Sequence, residues 1–178
     1  MVKETTVEAF TILLEKGKEE CLIWSAENGH TEIVKLLIEA GADIHAYSDL
    51  ALRLSSHGGH TEIVKLLIEA GADIHAYSDL ALRLASGSGH TEIVKLLIDH
   101  GADIHAQDDK ALRWASGCGH TKVVEYLKSV IEKENNKKLD SENNKKLHSE
   151  NNKKLDNLSK EELYSLVTEL KEKLDKYQ

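Results

Sequence analysis

The sequence predicts an all-α solenoid of stacked helix-turn-helix units followed by a C-terminal helical tail, and three observations carry that prediction. His30, His60, His90 and His120 recur thirty residues apart, each between Gly and Thr, and Gly29–Leu54 is repeated residue for residue at Gly59–Leu84. Within one unit Ile63, Val64, Leu66, Leu67 and Ile68 are apolar while Glu62, Lys65 and Glu69 are polar, the pattern of a helix with one wet stripe. The 178 residues include no proline, one phenylalanine and 30% charged residues, a composition suited to packed helices with solvated outer faces. A helix pair this small cannot bury its apolar faces alone, so neighbouring units must share a continuous core.

Taken in chain order, residues 1–18 form an N-terminal capping half-unit, in which Val7–Lys16 is a helix made atypical by Thr11 and Lys16. The units then run over 19–48, 49–78 and 79–108, and a C-terminal capping unit over 109–132 closes the stack. In each unit the longer helix ends at a glycine suited to the left-handed conformation, Gly41, Gly71 or Gly101. A turn such as Ala72–His75 follows, and a shorter helix begins near Asp79, with Ser78 or Asp79 placed to cap it. The closing unit replaces Glu-Ile-Val-Lys-Leu-Leu-Ile by Lys122–Lys128 and loses the following Gly-Ala-Asp, as a capping unit should.

Residues 133–158 read as a low-complexity linker built from the octads ENNKKLDS, ENNKKLHS and ENNKKLDN. Leu139, Leu147 and Leu155 lie eight residues apart, which is about 80° past two full turns of helix, so they spiral and form no seam. The composition points to a solvated linker or a frayed single helix. Residues 159–178 open on a capping box, Ser159-Lys160-Glu161-Glu162, and carry Leu163, Leu166, Val167, Leu170, Leu174 and Tyr177 along one side. Three destinations for that face stay open: the last repeat, a second copy of the chain as a homo-oligomer or short coiled coil, or a foreign protein.

The Gly-His and Gly-Ala-Asp-Ile-His-Ala wording over about residues 5–131 resembles the ankyrin-repeat family. The family's Thr-Pro-Leu-His is replaced by Leu50–Arg53, Leu80–Arg83 and Lys110–Arg113. The unit is shorter than the usual period of about 33 residues, and the missing residues fall in the hairpin finger between Ala46 and Leu50. Shortened hairpin loops and a shallower groove are therefore expected. Such short-finger repeats, with the Ala111–Ser116 wording, resemble those of giant DNA viruses of amoebae. The resemblance implies a non-enzymatic module that binds a protein partner, with the Gly-His imidazoles of His30, His60, His90 and His120 bracing the loops between units. Carried over position by position, it places partner contacts at Tyr47, Ser48, Tyr77, Ser78, Gln107 and Asp108 on the fingers. Beside the groove it places His57, Ser88 and Cys118, together with Glu27, Asn28, Gly58, Gly87 and Gly117. Tyr47 and Tyr77 have the bulk of interface anchors, and the alternative, that they pack each finger on its neighbour, stands level with that reading.

Other chemistry is disfavoured. A net charge of −8 and a pI near 5.7 oppose attraction to a phosphate backbone, so nucleic acid is excluded as a partner. Cys21 and Cys118 are isolated thiols, neither a disulfide framework nor a zinc motif, and fit a reducing compartment. No leader-like or membrane-spanning apolar run is present, which gives the expectation of a soluble protein in the cytoplasm, that of the host if the source is viral. No phosphate loop, nucleophile elbow or zinc-protease motif is found, so no catalytic residue, metal or cofactor is assigned. Imidazoles on adjacent units lie about 10 Å apart, too far to share an ion at bond lengths near 2.0 to 2.1 Å. Asp49 and Arg53, Asp79 and Arg83, and Asp109 and Arg113 are four residues apart, which predicts a ladder of salt bridges. The competing reading is an arginine row for acidic ligand groups. Trp24 and Trp114 occupy the apolar position of Leu54 and Leu84 and are expected in the core.

Overall fold

The computed structural model of the chain describes Thr11 and residues 16–175, the side chains of 174 and 175 excepted. The N-terminal helix expected at Val7–Lys16 falls largely outside the described residues, as does Tyr177. Described residues form nine helices and no strand: α1 (Lys18–Glu27), α2 (Thr31–Glu39), α3 (Ala46–Gly58), α4 (Thr61–Glu69), α5 (Ala76–Gly87), α6 (Thr91–Asp99), α7 (Ala106–Gly117), α8 (Thr121–Asp156) and α9 (Lys160–Asp175). The chain divides into two compact units, Met1–Ile131 and Glu132–Gln178.

In the first unit α1, α3, α5 and α7 form one layer and pack closely on one another, while α2, α4 and α6 form the second layer and touch more sparsely. The core runs between the layers. Leu22, Leu52 and Leu82 face Val34, Val64, Val94 and Val123 across it, and Ile63, Leu67, Ile93 and Leu97 are completely buried. Each such side chain contributes roughly 1.5–3 kcal/mol by leaving water. The wet stripe read from Glu62, Lys65 and Glu69 is exposed. The second-layer helix Thr61–Glu69 has nine residues, and in the span Ala46–Gly58 the backbone of Tyr47, Ser48 and Asp49 is not helical, so the helix proper begins after them. The end of Thr61–Glu69 is fixed by Gly71, at φ +99°, after which the Ala72 amide donates to the Leu67 carbonyl. Left-handed backbone without a Cβ costs little there.

The joint between layers is braced by the histidines. The ring of His60 donates from Nε2 to the Glu27 carbonyl, His90 to the His57 carbonyl and His120 to the Gly87 carbonyl, each at 2.9 Å. Each ring lies on a glycine of the preceding unit, and a Cβ at Gly59 would come within 2.6 Å of the His90 ring. The Gly-His pairing is therefore a steric couple between units: the glycine leaves the space that the next unit's imidazole fills.

The second unit holds the rest of α8 and α9. Residues 133–156 are helical, so the octad segment is helix and not coil. Leu139, Leu147 and Leu155 are exposed on it, as their 80° drift per octad requires. Ser159 starts α9 with a capping box: the Glu162 carboxylate accepts from the Ser159 amide and hydroxyl, both at 2.8 Å, and the Glu162 amide donates back to Ser159 Oγ at 3.3 Å. These bonds hold the Glu162 carboxyl below its ordinary range.

Candidate functional site

The fingers are where the chain departs from the usual chemistry of its residues. Tyr47, Ser48 and Asp49 have φ of 52°, 56° and 56°, and Tyr77–Asp79 and Gln107–Asp109 repeat that geometry. Three successive left-handed residues turn the chain within a few residues, which a clipped finger demands. Their cost is about 1–2 kcal/mol each for side chains with a Cβ, and three groups of bonds offset it. Arg53 donates from Nη2 to the Tyr47 carbonyl at 2.7 Å and from Nε to the Ser48 carbonyl at 3.1 Å, and Arg83 repeats both bonds on Tyr77 and Ser78. Asp49 accepts from His45 Nδ1 at 3.0 Å and from the Asp73 amide, at the start of the following finger, at 2.8 Å. Asp79 does the same with His75 and the Asp103 amide.

This arrangement corrects two expectations. The aspartate–arginine ladder is not formed: the left-handed turn aims carbonyls at the guanidinium, and the aspartate is taken by histidine and a neighbouring backbone amide. Nor do Ser78 and Asp79 cap the following helix: both lie inside the left-handed turn, and the Asp79 carboxylate is taken by His75 and the Asp103 amide. Glu19 stands in for the aspartate in the first unit, accepting from the Asp43 amide at 3.4 Å. Asp109 has no later unit to receive and is correspondingly half-exposed, whereas Asp49 and Asp79 are buried.

The structure lines Tyr47, Tyr77 and Gln107 along one edge, with Ser48, Ser78 and Asp108 beside them, all exposed. Tyr47 and Tyr77 each retain 62% exposure. Both readings of the tyrosines have support in the geometry, since the Tyr47 hydroxyl donates to Glu20 Oε1 at 2.9 Å and the Tyr77 ring lies under the Arg53 guanidinium at 4.7 Å, yet the rings stay open to solvent. The bond to Glu20, and then the charge of Glu20, raise the Tyr47 hydroxyl above the ordinary phenol range. His57 and Ser88 lie at the opposite ends of the short helices and share a hydrogen bond of 2.9 Å between adjacent units, while Cys118 is exposed in the closing unit. The candidate residues thus form two rims, not one cluster.

Between the rims lies a strip that includes the position of Trp24, Leu54, Leu84 and Trp114, which the sequence placed in the core. Leu50, Leu54, Leu80, Leu84 and Trp24 are only half-buried, and Trp114 is 36% exposed. Trp114 is therefore a surface residue, placed against Gly87 and between Arg83, 5.8 Å from its ring, and Lys110, at 5.1 Å. It is exposed because no later unit stacks on α7 to cover it, a fact set by where the repeats stop. Trp24 packs against the core with His30 at 4.9 Å from its ring. Burial raises the Cys21 thiol above its ordinary value. Among the described residues no group of histidine, cysteine and carboxylate side chains has the arrangement of a metal site, and no helix is long and apolar enough to cross a membrane.

An apolar strip thus runs between two polar rims on the layer of short helices. Comparison with known proteins agrees with the architecture. Among curated proteins none matches the chain. A family model of ankyrin repeats (3 copies) matches residues 1–78 and 77–140. With helix pairs stacked in two layers, imidazoles bracing each joint and that match spanning most of its length, the chain belongs to the ankyrin-repeat family.

Proposed function

We propose that the repeats are a non-enzymatic protein-interaction module, an adaptor whose partner lies across the short-helix face and its clipped fingers. The observation that carries this reading is the exposure of Tyr47, Tyr77 and Trp114 on one face of an otherwise well-packed stack. Large aromatic rings held rigidly and left in water are the side chains that anchor protein interfaces. The net charge supports a protein over a nucleic acid. Residues 1–131 hold 12 Lys and Arg against 20 Asp and Glu, so the whole net charge of −8 belongs to the repeat unit. The likeness of the short-finger units to those of amoebal giant viruses supports a viral adaptor that engages a host protein in the host cytoplasm.

A photo-reactive phenylalanine analogue at Tyr77, compared with one at Glu69 in the second helix layer, tests the reading in lysate of an amoebal host. Cross-linking to one discrete protein from position 77 and not from 69 is the expected result. Equal or absent cross-linking at both positions sinks it.

A second reading, a scaffold that assembles through α9, is favoured by one feature of the tail. Leu166, Val167 and Leu170 are exposed along one side of α9, with Tyr164 at 77%. The tail has 11 Lys and Arg against 11 Asp and Glu over residues 132–178, so no net charge opposes its pairing with a copy. Light scattering on the full chain and on a chain ending after Lys133 decides it: an oligomer that becomes a monomer on truncation supports the scaffold, and a monomeric full chain removes it.

A further inference from the structure

The short-helix face changes character in its first unit. The position that holds Arg53, Arg83 and Arg113 in later units holds Ile23 in the first. In later units the arginine lies near an aromatic ring: Arg53 over Tyr77, the counterpart of Tyr47, and Arg83 over Trp114, the counterpart of Trp24. Tyr47 is the ring that stands where the first unit's guanidinium would rest, and Ile23 supplies none. Two carboxylates appear there instead. Glu20 stands where later units have Leu50 and Leu80, and Glu27 where they have His57 and Gly87. With Ile23, Trp24, Tyr47 and Leu50 they enclose a pocket of about 260 Å³, with Lys16 at its edge.

We infer that this pocket receives an arginine side chain of the partner protein, with its guanidinium on the Tyr47 ring beside Glu20 and Glu27 and its methylenes on Ile23, Trp24 and Leu50. The inference rests on the reading of this face as a protein-binding surface. Tyr77, the counterpart of Tyr47, is satisfied by the Arg53 guanidinium, and the loss of that arginine at Ile23 together with the gain of two carboxylates reverses the charge that the site needs. An apolar side chain would fit the floor but bring no charge to meet Glu20, bonded to the neutral Tyr47 hydroxyl, or Glu27. Lysine would bring charge without the planar fork that stacks on a ring and bonds carboxylates in pairs.

The probe is N-acetyl-arginine amide, titrated into the full ¹⁵N-labelled chain while the two indole N–H resonances are followed, with the neutral citrulline amide as control. The Trp24 indole should shift saturably with arginine and not with citrulline. Trp114, already between Arg83 and Lys110, should stay in place. Replacing Glu20 and Glu27 together by Gln should weaken binding about tenfold or more, the loss of at least one charge-assisted bond. Ile23→Arg restores the interior residue, which the fold accepts in later units, and should abolish the shift. An equal response to citrulline, or a response that survives Ile23→Arg, overturns the inference. So does a shift seen only after Lys16→Ala, which would make Lys16 the resident cation.

Panning a displayed random dodecapeptide library on the same chain separates this inference from the reading beneath it. Peptides that share an arginine and are lost on Ile23→Arg support both. Peptides that need Tyr77 or Trp114 but tolerate Ile23→Arg remove the arginine pocket and leave the binding face. If no peptide depends on Tyr77 or Trp114, the binding face itself falls, and the pocket with it.

Discussion

Interior helices of the stack and the helices of the tail are alike in class and opposite in what sustains them. α4 and α6 are nine residues long, too short to persist alone in water, and their inward side chains Ile63, Val64, Leu67, Ile93, Val94 and Leu97 are completely buried. The tail portion of α8 is far longer, yet its leucines lie in solvent, and its helicity rests on local terms. Those terms include glutamates three and four residues before lysines, as in Glu142 with Lys145 and Lys146, each such pair giving about 0.2–0.5 kcal/mol. The lesson is that repeats make helices by having neighbours, and a residue's importance follows from whether a later unit stacks on it.

The largest effect should come from deleting a leucine with neighbours. Leu67→Ala is expected to destabilise the repeats by about 2–5 kcal/mol, the range for a truncated core leucine. Leu147→Ala, in the exposed octads, should leave the thermal midpoint of the repeats where it was. Equal losses in paired melts would mean that the octad leucines are buried after all, and the contrast would fail.

Gly59 and Gly119 sharpen the point within the stack. Both are left-handed, at φ +80° and +77°, but only Gly59 has the His90 ring over it, and nothing lies within 4 Å of a Cβ at Gly119. Alanine at Gly119 should cost about 1–2 kcal/mol for backbone conformation alone. At Gly59 it should cost a further 1–3 kcal/mol of overpacking. Urea unfolding of both variants reads the difference, and a difference near zero would show that the imidazole yields without loss.

Asp79 and Asp109 pose the same question for a polar side chain. Asp79→Ala removes the acceptor of the part-buried bond from the Asp103 amide and the partner of His75, which should cost about 1–3 kcal/mol. Asp109→Ala removes only a half-exposed contact with His105 and should stay within about 0.5 kcal/mol, as surface changes do. Amide exchange at Asp103 in the Asp79 variant locates the damage; unchanged protection there would mean that the carboxylate is not the partner that matters.

Much of this was legible in the sequence. The thirty-residue period, the wet stripe of α4 and the closing glycines follow from local pattern, and the described helices from α2 to α7 keep that period. The finger was not legible, because tyrosine and serine carry no signal for a left-handed backbone, and the residues that hold it there act from a distance. Asp49 is held by an amide 24 residues later, and Arg53 by carbonyls that face it only once the turn has formed. The i to i+4 rule for Asp49 and Arg53 presumes that both lie in one right-handed helix, and Asp49 does not. Trp114 was misjudged for a related reason: its counterparts Trp24, Leu54 and Leu84 are half-buried, and the position opens further in the closing unit. The first unit's pocket could have been noticed by setting Ile23, Glu20 and Glu27 against their counterparts, a comparison that gains meaning only when Arg53 is seen on Tyr77.

The smallest expected effect lies at the start of α9, where a helix without a neighbour depends on its own cap. Glu162 has its carboxyl lowered chiefly by the Ser159 amide and then by the Ser159 hydroxyl. A carboxyl lowered on folding stabilises the helix above its unfolded value, about 4.3 for glutamate, and that contribution disappears as pH falls through the lower folded value. Acidification from pH 7 towards 3 should therefore fray the first turn of α9, with the Ser159 and Glu162 amide resonances moving together at a midpoint below the ordinary one. Glu162→Gln should keep part of the cap and remove the titration. If the wild-type midpoint falls at the ordinary glutamate value, the cap does not form in solution, and the exposed apolar face of α9 would need its partner merely to be a helix.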